Sequence, residues 1–110
     1  MDQRLVEEWK RRLPERLNSS DSVEVHADDG IPNALLIHMD VAGRSKYSFD
    51  FRCTYMDSRE VKVDLLDVEQ DGIHVDEHTE PIQNLAEDYV RHIHECAQDL
   101  QDVTTQIYQG

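Results

Sequence analysis

An α+β fold, with helices laid on one face of an antiparallel sheet, is predicted by three observations. Apolar residues recur at helical spacing at both ends of the chain. They alternate at strand spacing through the middle, and the connections between those runs are too short for parallel pairing. The 110 residues suffice for one core, and residues 1–110 read as a single domain.

The first element is a helix over residues 2–17, carried by Leu5, Val6, Trp9, Leu13 and Leu17. Pro14 has no amide hydrogen to bond back to residue 10, which predicts a kink or break near Leu13. Asn18, Ser19, Ser20 and Asp21 then form a polar connector.

Four strands and a fifth edge candidate follow. Val23 and Val25 alternate with Glu24 and His26, and Asp28-Asp29-Gly30 signals a turn. Leu35, Ile37, Met39 and Val41 share one face, with His38 and Asp40 on the other, before a second turn at Ala42-Gly43-Arg44-Ser45. Residues 46–55 set Tyr47, Phe49, Phe51, Cys53 and Tyr55 against Ser48, Asp50, Arg52 and Thr54, the pattern of a half-buried strand. Val61, Val63 and Leu65 continue the alternation. Leu66 and Val68 break it, which predicts a bulge or a strand end. After Asp71-Gly72, Ile73-His74-Val75 is the short edge candidate.

The last third repeats apolar residues at intervals of four and three: Ile82, Ala86, Tyr89, Ile93, Cys96, Leu100, Val103 and Ile107. This predicts one helix of about 28 residues and ~42 Å, as long as the whole domain and overhanging the sheet at its C-terminal end. It starts at Thr79-Glu80-Pro81, with Asp76, Glu77 and Glu80 near the positive end of its dipole. Leu85, Val90, Ala97 and Thr104 widen the stripe beyond the seam of a two-stranded coiled coil. The sheet of the same chain is therefore the expected cover, and a homodimer through this helix is the alternative.

Charge is lopsided. The formal net charge is −13; residues 1–18 carry five bases and four acids, whereas residues 60–110 carry thirteen acids against Lys62 and Arg91. Outside Lys10, Arg11, Arg12 and Arg16 there is no basic stripe, which argues against nucleic acid as a partner. No run approaches the ~18 apolar residues of a membrane span, and the charged N-terminus has no apolar signal segment, so the expectation is a cytoplasmic protein without a membrane role. Cys53 and Cys96 fall at core-facing positions and match no zinc or redox spacing, so both are read as buried thiols.

Three groups of residues carry candidate chemistry. In His92-Ile93-His94-Glu95-Cys96, residues two apart point to opposite sides of a helix, so only His92 and Cys96 share a face, too few for a metal site. His74, Asp76 and His78 would lie on one side of an extended segment and are the weak candidates for a zinc or nickel ion. The third group is the polar sheet face, with Glu24, His26, His38, Asp40, Asp50, Arg52, Lys62 and Asp64; it reads as a lattice of cross-strand charge pairs or a docking face. Gly-rich phosphate loops, GxSxG elbows, paired CxxC motifs and HExxH helices do not occur, and no cofactor is expected.

The leading expectation is a non-catalytic protein-binding module, an adaptor, chaperone or inhibitor, presenting its acids to a basic partner protein. The residues expected to carry it are Asp88, Glu95, Asp99 and Asp102 on the helix and His38, Asp40, Asp50 and Arg52 on the sheet. The alternatives are a metal-dependent or acid–base enzyme using sheet-face or loop histidines, and a structural homodimer. Size, charge and architecture are similar to those of secretion chaperones and toxin-neutralising immunity proteins, with no motif from which residues carry over.

Overall fold

A computed structural model describes residues 1–18, 20–43, 46–76 and 78–108. Ser19 of the polar connector, Arg44 and Ser45 of the second turn, and Glu77 before the last helix lie outside them.

Helix α1 spans Gln3–Arg12 and is capped by Asp2, whose carboxylate accepts the Arg4 amide at 2.8 Å. As the proline required, α-geometry stops at Arg12 and a 3-10 turn runs from Leu13 to Arg16. Five strands follow: β1 (Ser22–Ala27), β2 (Ala34–Asp40), β3 (Tyr47–Tyr55), β4 (Val61–Gln70) and β5 (Ile73–His74). They form one antiparallel meander in the order β1-β2-β3-β4-β5. The β4–β5 hairpin turns on Asp71 and Gly72, both at positive φ, the conformation that two-residue hairpins favour.

The irregular period after Leu65 is a bulge. Phe51 lies opposite Leu65 while Asp50 lies opposite Asp67, so Leu66 is the extra residue and the strand continues to Gln70.

The helix stripe is covered by its own sheet. Ile82, Ala86, Tyr89, Ile93, Cys96 and Leu100 are buried in one cluster with Leu35, Ile37, Met39, Phe49, Phe51 and Val68, and with Leu5, Trp9 and Leu13 from the first segment. The Tyr89 ring packs 5.5 Å from Phe49 and 6.5 Å from Phe51, centroid to centroid. Its hydroxyl donates to Asp21 (3.2 Å), whose other carboxylate oxygen takes the Ala42 amide (2.8 Å). Trp9 Nε1 donates to the Tyr55 hydroxyl at 3.0 Å, so its burial strands no donor. Cys53 and Cys96 are free buried thiols, each pushed up to about 12, first by burial. At ordinary pH both are neutral core residues.

The single 28-residue helix is corrected. Helix α2 runs from Glu80 to Asp99 and α3 from Gln101 to Tyr108, separated at Leu100, where ψ is 5°. Arg12, from the first helix, donates to the Asp99 carbonyl at 3.2 Å, drawing it out of the helical ladder. The Leu100 amide is shared between the carbonyls of Cys96 and Ala97. Thr104, fully buried within α3, satisfies its hydroxyl by donating back to the Leu100 carbonyl at 2.9 Å. At ~1.5 Å per residue α2 is ~30 Å long, against a molecular long axis of 45 Å, so no one helix spans the body. Among the described residues no helix is long and apolar enough to cross a membrane.

Candidate functional site

The helices cover one face of the sheet; the other carries the polar set that the alternation predicts. Register places Glu24, His38, Asp50 and Asp67 side by side across β1 to β4, with His26, Leu36, Arg52 and Asp64 in one neighbouring row. On the other side lie Asp40, Ser48, Glu69 and His74.

His38 is the hub of this face. Its Nδ1 lies 2.6 Å from Asp50 Oδ1 and its Nε2 lies 3.2 Å from Asp40 Oδ1. A neutral imidazole satisfies only one of those acceptors, while the imidazolium donates to both. Partial burial pulls the His38 pKa down, but the hydrogen bond and charge of Asp50, with Asp40 behind them, outweigh it and the net shift is upward. His74, on β5, turns its Nδ1 onto Asp67 Oδ1 at 2.7 Å.

Beside the hub, the bulge brings Leu66 to the surface, 41% exposed, next to Leu36. His26, Leu36, His38, Asp50, Leu66 and Asp67 line a hollow of about 400 Å³ with an apolar floor and a charged rim. Leu66, Asp67 and Glu69 are not among the candidate site residues that the sequence offers. The broken period at Leu66 was the signal for the first; the placement of the others depends on the bulge.

Asp50, Asp67 and Glu69 offer oxygens that lie within 4.8 Å of one another, the arrangement among the described residues with the geometry to hold a cation. Hard oxygen donors of this kind suit calcium or magnesium rather than zinc. The loop trio divides: His74 faces Asp67, whereas Asp76 accepts the backbone amide of His78 at 2.9 Å and lies 3.0 Å from its Nδ1. His92 likewise pairs with Glu95 at 3.0 Å, away from the buried Cys96.

The acids of the C-terminal helix occupy a different environment. Arg16 donates through Nε to Asp99 at 2.9 Å and lies 4.0 Å from Glu95, while Asp88 pairs with Arg91 at 3.1 Å. Arg11, Arg12, Arg16, Glu15, His92, Glu95 and Asp99 line a hollow of about 610 Å³ between the first segment and α2, with cations and carboxylates balanced. Asp102, in α3, is exposed. On the sheet, by contrast, Arg52 is committed to Asp28 at 3.1 Å, and Lys62 lies 3.8 Å from Asp64. Asp40, Asp50 and Asp67 are answered by histidine rings, which carry a full positive charge only when protonated.

Comparisons with known sequence families, with curated proteins and with solved structures give no match.

Proposed function

We propose that the protein is a docking module whose uncovered sheet face binds a basic segment of another protein, with an apolar side chain of that segment seated between Leu36 and Leu66. The observation that supports it is the hollow: an apolar floor bordered by Asp50 and Asp67, whose charge partners are histidine rings rather than lysine or arginine. Apolar contact at such a centre supplies affinity, and the acidic rim supplies steering and selection for positive charge. A cytoplasmic location belongs to the same proposal.

Two lysine-rich peptides, identical except that one has leucine and the other alanine at its centre, test this by titration calorimetry. The leucine peptide binds more tightly, binding weakens as salt rises, and Leu66→Ser removes the preference for leucine. Absence of binding at low salt, or equal binding of both peptides, contradicts the reading. A rise in melting temperature on adding calcium or magnesium would instead point to a cation site at Asp50, Asp67 and Glu69, distinct from the histidine sites of the metal-dependent alternative.

A further inference from the structure

The two edges of the sheet are not alike. β5 is only two residues long and pairs with Glu69 and Gln70, and the Val75 amide bonds to the Val68 carbonyl at 3.2 Å. Among the described residues, the edge of β4 from Val61 to Asp67 therefore has no backbone partner on its outer side. An open edge of this length pairs readily with another strand.

We infer that this edge pairs antiparallel with the same edge of a second copy, about a two-fold axis at Val63, joining two five-stranded sheets into one.

The sequence of the edge is complementary to itself in that register and in no neighbouring one. With Val63 opposite Val63 of the second copy, Lys62 faces its Asp64 and Asp64 faces its Lys62. On the helix-covered side, Val61 then faces Leu65. A slip of two residues, the smallest that keeps every side chain on its own face, sets Lys62 against Lys62 in one direction and Asp64 against Asp64 in the other. Like charges directly opposite each other are destabilising, so the pattern selects one pairing. The bulge at Leu66 ends the regular edge, which keeps the contact closed and short.

The layer above the edge fits as well. Arg59, Glu60, Val61, His94, Ala97, Gln98 and Gln101 line a cleft of about 400 Å³ between the start of β4 and α2. In the inferred register, Leu65 of the second copy lies opposite Val61, at the mouth of that cleft. The helix residues that line this cleft, His94, Ala97, Gln98 and Gln101, are uncharged or titratable only as histidine, and the charges at its rim, Arg59 and Glu60, are of opposite sign. The pairing leaves the outer sheet face open, so it neither needs nor blocks the docking site.

Light scattering tests this with substitutions at the exposed Lys62 and the half-buried Asp64. The wild-type chain reaches twice its 12.8 kDa mass at micromolar concentration. Lys62→Asp and Asp64→Lys each place like charges opposite one another, and each weakens dimerisation by roughly tenfold or more. An equimolar mixture of the two variants restores the dimer, since an edge acidic at both positions then meets an edge basic at both; the double variant K62D/D64K restores it alone. A wild-type chain that stays monomeric, or single variants as dimeric as wild type, overturns the inference. So does a mixture of folded single variants that fails to associate, with folding checked by circular dichroism.

Discussion

The acids of α2 and those of the outer sheet face look alike in the sequence, yet the fold treats them in opposite ways. Glu95 and Asp99 sit against Arg16, and Asp88 against Arg91, so their field is cancelled locally. Asp50, Asp67 and Glu69 converge on one another, with histidines as neighbours, and theirs is offset only as far as those rings are protonated. Net charge per segment therefore does not locate an attractive surface; the position of the compensating cations does. For Glu95 and Asp99 that cation comes from the first eighteen residues, folded back onto the end of α2; for Asp88 it comes from Arg91 in α2 itself.

The sharpest contrast lies within one strand. Phe51 and Asp50 are adjacent in β3 and point to opposite faces. Phe51→Ala should cost about 3–5 kcal/mol, read by urea unfolding with the fluorescence of Trp9, the chain's one tryptophan. Asp50→Asn should leave stability nearly unchanged and weaken binding of the lysine-rich peptide. If the two substitutions cost the same stability, the division into a folding face and a binding face is wrong.

Next in size is Tyr55→Phe. It leaves the buried Trp9 Nε1 without its acceptor and should cost about 1–3 kcal/mol in the same assay. A cost below ~0.5 kcal/mol would mean that the indole is satisfied in another way.

Arg16→Gln tests the cancellation itself. The pair with Asp99 is partly exposed and screened by solvent, so its loss should change stability little. Its removal uncovers Glu95 and Asp99, so the variant should gain a second, salt-sensitive site for the peptide on α2. Unchanged stoichiometry would show that the arginine does not mask those acids.

The smallest effect is the pH dependence of His38. Its pKa is raised in the folded chain above the ordinary 6.5, so the stabilisation it provides is fully present below that value and is lost as pH rises through the folded one. His38→Gln should therefore lower the melting temperature more at about pH 6 than at about pH 9. An equal effect at both would place no charge-assisted bond at His38.

Much of this was legible because it is local. Alternation placed the core faces of β1 to β3, Pro14 placed the end of α1, and the period break at Leu66 marked the bulge. The break at Leu100 was not legible, because the apolar spacing runs through it unbroken and the group that draws off the Asp99 carbonyl, Arg12, lies 87 residues away. For the same reason the sequence could list His38, Asp40, Asp50, Asp88, Glu95 and Asp99 together but not separate the cancelled acids from the others. His74 shows the same limit. Grouped with Asp76 and His78 by sequence spacing, it belongs instead to the sheet face, through a β5 pairing only two residues long.

The most direct test of that separation is to follow backbone amide shifts while the leucine-centred lysine-rich peptide is titrated. The account predicts that perturbations concentrate on His38, Asp50, Leu66 and Asp67, around the hollow. Perturbations centred on Glu95 and Asp99, with the sheet face silent, would contradict it.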